Sequence, residues 1–354
     1  MTREHIKLLS AGVLAGGIAI ALTLLGNPAN MAFCIACFVR DMAGAVGLHR
    51  AEVVQYMRPE IIGIVLGAFV ISVSFRDFAV KGGSAPFSRF LLGMCVMIGA
   101  LIFLGCPMRM ILRIAGGDFN AVVGLVGFVA GIGTGILFLN KGFSLKRTYT
   151  LIKSEGWLFP AANVFFLILL VAAPSLLFFS ETGPGSMRAP IWASLAAGLI
   201  IGGVGQRVRL CFISGIRDAI LFKQFHMVFC FVALLLTVFI GNLLMGRFNP
   251  GFAGQPVAHN DFLWNFLGLY LVGLASVLLG GCPYRQLVLA GSGNTDSVVT
   301  VLGLFMGAAF AHNLGLASSA NGPTFNGKIA FFICITITLV IGFSNLNLRS
   351  EERV

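Results

Sequence analysis

Two short motifs carry residues suited to chemistry, Gly105-Cys106-Pro107-Met108-Arg109 and Gly281-Cys282-Pro283-Tyr284-Arg285. Proline is favoured at the first position of a helix, so each cysteine should stand at a helix N-cap. The free N–H groups and the dipole at that end attract anions. An arginine three residues further on adds positive charge, and both effects favour a thiolate or an anionic ligand. A buried cysteine beside a helix break is the plainer alternative for either motif alone. Two copies in corresponding places weigh against it.

A second pair of segments has a similar form. Cys34 precedes Arg40-Asp41, and Cys211 precedes Arg217-Asp218. The two cysteines are candidates for lining a path. Arg40 and Arg217, each followed by aspartate, are expected to pair with neighbouring charges and hold a short helix in place. The site expected from sequence is therefore Cys34, Cys106, Cys211, Cys282, Arg109 and Arg285 on the substrate. Gly105, Gly281, Pro107, Pro283, Arg40 and Arg217 support it.

Other motifs are weaker. Cys34-Ile-Ala-Cys37 is a CxxC and would suit a redox pair. No βαβ pattern surrounds it, and the residue corresponding to Cys37 is Ser214. Gly322 to Lys328 resembles a phosphate-binding loop, but Ile329 stands where Ser or Thr is needed and no strand precedes it. Gly291-Ser292-Gly293-Asn294 is a plain turn or a small cradle of N–H groups. No histidine pair has ligand spacing, so no metal or other cofactor is expected. Cys95, Cys230 and Cys334 lie in unbroken apolar runs and read as packing.

The elements that position these residues follow from composition. Of 354 residues, 58% are hydrophobic and 10% charged, with a mean hydropathy of +0.95. A soluble domain carries roughly 25% charged residues, so a soluble enzyme is excluded, as is a disordered chain. The net charge of +11 comes without a Lys/Arg run interleaved with aromatics, which excludes nucleic acid as a partner. The chain reads as an all-α polytopic membrane protein whose other partner is lipid.

Apolar stretches at about 8–26, 60–75, 87–105, 119–140, 158–180, 190–204, 225–245, 262–281, 296–316 and 328–347 predict ten spans. Those at 60–75 and 190–204 are the shortest. Segments 27–50, 106–117, 206–222 and 282–294 are too short or interrupted to cross, and predict four re-entrant half-helices. With a cytoplasmic N-terminus, eleven Lys/Arg of the connecting loops and tails fall inside against Arg188, Arg247 and Lys328 outside. Both termini are then cytoplasmic, and the inside set includes Arg349 and Arg353.

The chain also repeats itself. Gly105–Gly135 aligned on Gly281–Ala311, a shift of 176, gives nine identities in 31 positions, and Cys34 matches Cys211 at a shift of 177. Five spans between equivalent points make the halves inverted, a plan common among transporters and channels. The expected division is residues 1–140 for the first repeat, 141–189 for a linker with its helix, 190–320 for the second repeat and 321–354 for a tail helix.

These motifs and their repetition resemble the YeeE/YedE family of sulfur-compound transporters, over roughly residues 8–320. The wording is nearer to its YedE-like branch, proposed to handle selenium, than to its thiosulfate branch. The resemblance implies a bacterial inner-membrane protein of hourglass form, not an enzyme, with cysteines along a central path. Those would be Cys34, Cys106 and Cys282, with Cys211 added by the repeat. It also implies a small sulfur or selenium anion as substrate, and for some members a small cytoplasmic sulfur-carrier protein of the TusA type. The residues themselves agree: thiols donate weak hydrogen bonds to sulfane sulfur, and helix N-termini hold an oxyanion end. A small-anion channel fits the same half-helices. A membrane thiol oxidoreductase would need Cys34 and Cys37 to cycle together.

Overall fold

A computed structural model describes residues 3–346. In chain order its helices are α1 (Arg3–Leu24), α2 (Ile35–Ala45), α3 (Pro59–Ser74), α4 (Pro86–Phe103), α5 (Pro107–Ala115), α6 (Phe119–Asn140) and α7 (Lys153–Ala172). There follow α8 (Ile191–Val208), α9 (Phe212–Phe222), α10 (His226–Leu244), α11 (Phe262–Leu279), α12 (Pro283–Gly291), α13 (Thr295–Asn313) and α14 (Phe325–Ser344). Two short strands, β1 (Lys81–Gly82) and β2 (Tyr149–Thr150), pair antiparallel and tie together the loops after α3 and before α7. Arg349, Arg353 and the end of the expected tail segment lie outside the described residues.

Each expected apolar span forms a long helix, and each interrupted segment forms a short one: α2, α5, α9 and α12. Among the described residues, nine helices are long and apolar enough to cross a membrane. The chain is a multi-pass membrane protein. The tenth, α3, has 16 residues, about 24 Å at 1.5 Å per residue, less than a hydrocarbon core of about 30 Å. Some boundaries move: α1 starts at Arg3 rather than near 8, and α7 runs from Lys153 to Ala172 rather than from about 158 to 180. Pro160 sits inside it and, lacking an N–H, cannot donate to the Gly156 carbonyl. Pro174 then opens a 3-10 turn that ends the span.

Helix pairing follows the sequence repeat. α1 packs on α10 and α8 on α3; α6 packs on α11 and α13 on α4. α4 and α11, which correspond to each other, are themselves in contact. Exchanging elements at the repeat shift leaves this pattern unchanged. Glycines permit the close approaches. A Cβ on Gly63 of α3 would stand 2.6 Å from the Leu195 carbonyl oxygen of α8. Small residues let backbones meet in this way where lipid offers no hydrophobic drive.

Candidate thiol site at the half-helix ends

The four half-helices begin alike. Cys34, Cys106, Cys211 and Cys282 are the N-caps of α2, α5, α9 and α12, and none closes a side-chain cap hydrogen bond. Pro107 and Pro283 occupy the first helical turn, as their fixed φ favours. By contrast, α6, α11, α13 and α14 are closed by Asp118, Asp261, Asn294 and Thr324, whose side chains accept backbone N–H groups. A thiol is a weak acceptor, so a cysteine N-cap leaves donors for something else.

Tertiary packing then joins the caps in pairs. The Cys34 and Cys106 sulfurs lie 3.6 Å apart. Cys211 and Cys282 are likewise hydrogen-bonding neighbours. The N–H groups of Ala36 and Arg109, one from each half-helix, face the Cys106 sulfur. Those of Phe212 and Arg285 face Cys282 in the same way. Each pair therefore sits where two positive helix ends converge. All four cysteines are buried free thiols. The structure brings the expected residues together as two thiol pairs, one per half.

Gly105 and Gly281 serve the neighbouring arginines. A Cβ on Gly105 would lie 2.8 Å from Arg109 Cδ, and one on Gly281 would lie 3.1 Å from Arg285 Cγ. Glycine lets each arginine fold back across the motif.

The arginines themselves are not equivalent. Arg109 is fully buried. Its guanidinium donates to the carbonyls of Leu104, Asn30 (3.2 Å), Pro256 (3.3 Å) and Val257 (3.1 Å), and to Cys37 Sγ at 3.7 Å. Arg285 lines a cavity, and its Nη1 is buried without a partner. Carbonyls from the 256–257 loop take up the charge on one side only.

Arg40 and Arg217 also diverge. Arg40 bonds Asp41 at 2.7 Å, and Arg58 bonds the other Asp41 oxygen at 2.7 Å, all three buried. Arg58 further donates to Pro184 and Met187 carbonyls and stacks over Phe38 at 4.2 Å. Arg217 bonds Asp218 at 2.8 Å, but both side chains are about 30% exposed. Segment 173–189 explains the difference. It covers α2, with Phe178 N–H donating to Ala45 O and Ser180 N–H donating to Gln55 O.

Sequence reasoning set Cys37 aside, yet its sulfur is 3.1 Å from that of Cys34. The signal was present in the three-residue spacing, which returns to one helix face. It also missed the His49 and His312 rings, 4.5 Å apart although far separated in sequence. His49 Nε2 lies 3.0 Å from the Arg40 carbonyl, and burial pushes its pKa down. Cys95 and Cys334 share a separate apolar cluster with Ile98, Trp264 and Phe331, and Cys230 is buried in α10.

Beside the first thiol pair, a cavity of about 500 Å3 is lined by the amides of Asn27, Asn30, Asn242, Asn249 and Gln255, with Arg247 as its charged group. It reaches Ala32, two residues before Cys34, and Leu112 of α5.

Residues 207–341 match the family model described as Sulphur transport. This part of the chain is similar to that family. It holds Cys211, Cys282 and Arg285, so the resemblance to the YeeE/YedE family read from the motifs stands. The chain is also similar to a protein named thiosulfate transporter TsuA from Spirochaeta thermophila, with 32% identity over 168 residues. The match covers 44% of this chain and 49% of the relative, so the chain spans about half the length of the curated relative it matches.

Proposed function

We propose that this protein carries a small sulfur-containing anion of the thiosulfate kind, or its selenium counterpart, across a bacterial inner membrane. The two thiol pairs mark the path. The observation that carries the reading is the pairing of four cysteine N-caps, Cys34 with Cys106 and Cys211 with Cys282. Sulfane sulfur is soft and accepts the weak S–H donors, while the uncapped N–H groups receive the oxyanion end. Neither contact is strong. Weak sites in series let a substrate enter and still leave. No bond to substrate is made or broken, so the protein acts as a transporter rather than an enzyme.

The halves are read as inverted repeats over 1–140 and 190–320, with α7 as linker helix and α14 as tail. Both termini are placed in the cytoplasm, where a TusA-type carrier protein would receive the anion. Loop charge and the exchange symmetry of helix pairing support this arrangement.

Uptake of labelled thiosulfate into cells lacking other sulfur transporters tests the reading, with a selenium oxyanion as a parallel arm. Uptake is expected in the wild type and lost in Cys106→Ser. A small-anion channel would conduct unchanged with serine at that position. The close approach of Cys37 to Cys34 favours a second reading, thiol redox cycling. In that case Cys37→Ala alone abolishes function.

A further inference from the structure

The cavity reached by Arg285 differs in kind from the amide-lined one. It measures about 410 Å3, and its charged groups are Lys81, Arg207, Arg209, Arg285 and Asp77, a net formal charge of +3. Asp77 offsets little of it. Its carboxylate is 3.8 Å from Arg207 and both side chains are about half exposed. Arg207 is held over the Phe75 ring at 4.0 Å. Arg209 caps α8 with φ of 52°, a left-handed conformation that side chains other than glycine avoid. Arg285 Nη1 is buried and unpartnered, while its backbone N–H faces Cys282. Asn294, the N-cap of α13, adds the positive end of a helix to the wall. So a buried donor without a partner, an arginine held in a disfavoured backbone conformation and a threefold positive charge converge on one cavity beside a thiol pair.

We infer that this cavity is a binding site for a free tetrahedral oxyanion, held by the guanidinium forks of Arg285, Arg209 and Arg207 with Lys81 adding charge. Planar forks suit such oxygens. The place of the site on the path rests on the transport reading; the binding itself does not. In that reading the site lies beyond Cys211 and Cys282 and holds the anion after it has passed the thiols. Its amide-lined counterpart carries a single formal positive charge, that of Arg247, so the two ends of the path differ in charge.

Equilibrium binding of labelled sulfate, which has no sulfane sulfur, decides the matter on the purified full chain in nanodiscs of zwitterionic lipid. Wild type is expected to bind sulfate, more weakly as ionic strength rises. Cys95→Ser, in the separate apolar cluster, should retain that affinity. The Arg207→Gln/Arg209→Gln double variant should lose about tenfold or more, the scale of a charge-assisted pair. Lys81→Gln, on a loop strand, should lose roughly threefold through charge alone and serves if the double variant fails to fold. Unchanged affinity in the variants that fold overturns the inference and leaves these charges to the helix end and Asp77. Abolition of sulfate binding by added phosphatidylglycerol also overturns it, by assigning the cavity to a lipid headgroup. Absent thiosulfate uptake in the wild type, with sulfate binding intact, fails the transport reading and leaves this site standing.

Discussion

Cys34 and Cys106 are 72 residues apart in the chain, and their sulfurs are 3.6 Å apart in space. Each starts a different half-helix, so the contact places two helix N-termini on one spot. Serine at either position keeps a donor but removes the soft sulfur. Cys34→Ser and Cys106→Ser are expected to lower thiosulfate uptake by about tenfold or more, since a lost buried polar contact costs about 1–3 kcal/mol. Cys95→Ala and Cys334→Ala, in the separate apolar cluster, should leave uptake near wild type. Initial rates normalised to inserted protein check this. Equal losses at Cys95 and Cys106 would remove the distinction between path and packing.

The second prediction concerns the buried triad. Asp41 is shared between Arg40 and Arg58, and removing it leaves two arginines uncompensated in a buried setting. Breaking such a group costs about 3–5 kcal/mol. Asp41→Asn should therefore lower the thermal midpoint in detergent by several degrees. Asp218→Asn, in the equivalent but partly exposed pair, should cost no more than about 1 kcal/mol. Equal shifts would mean that the cover of 173–189 over α2 does not set the local dielectric.

Much of this architecture was legible in the residues. Ten apolar runs and four interrupted ones became ten long and four short helices because lipid demands closed backbone hydrogen bonding. The Gly-Cys-Pro motifs marked two helix starts because proline has no N–H to give. What was not legible depends on the partner each side chain meets. The surroundings of Arg109 and Arg285 differ because the 256–257 loop folds over one of them alone. Arg58 attracted no notice because its partners, Asp41 and the Pro184 and Met187 carbonyls, lie 17 to 129 residues away. Cys37 was discounted because the repeat has serine at that position, although repeats need not match at every residue.

Glycine packing gives a third prediction. Gly63→Ala would set a methyl 2.6 Å from the Leu195 carbonyl and force α3 from α8. Overpacking of this kind costs about 1–3 kcal/mol. Gly17→Ala in α1 has open space and should be neutral or slightly stabilising, because alanine favours helix by about 1 kcal/mol over glycine. Thermal unfolding of the two variants side by side tests the contrast. A stable Gly63→Ala protein would show that these helices can separate without cost.

A pH dependence follows from His259, in the loop before α11. Its Nε2 is 2.9 Å from the Ile102 carbonyl, and its Nδ1 accepts the Asp261 N–H at 3.3 Å. Both contacts are met by the neutral ring with its proton on Nε2. Burial holds its pKa below the ordinary value of 6.5. The unfolded chain therefore binds a proton that the folded chain refuses as pH falls through about 6.5. Stability should drop over that window and level off once pH is below the depressed folded value. His49, also buried and shifted down, adds to the same slope. His259→Gln should flatten part of the dependence between pH 7 and 5, read as thermal midpoint against pH. An unchanged slope would move the proton uptake elsewhere.

The last prediction separates the two motif arginines. Arg109 satisfies carbonyls from three segments, at Asn30, Leu104 and Pro256–Val257. Lysine has three donors around a point charge and cannot span that fork of acceptors. Leaving a buried carbonyl unpaired costs about 1–3 kcal/mol, so Arg109→Lys should unfold more readily and lose uptake although its charge remains. Arg285 faces a cavity with an unpartnered Nη1, so its fork is not committed to a cluster of protein carbonyls and lysine can supply the charge there in part. Arg285→Lys should keep a stable protein and part of the uptake, while Arg285→Gln keeps the stability and loses the uptake. The measurements are thermal midpoint and thiosulfate uptake per inserted molecule for all three variants. If Arg109→Lys matched Arg285→Lys in both, the carbonyl cluster around Arg109 would be incidental. The two arginines would then act as equivalent charges on either side of the thiols.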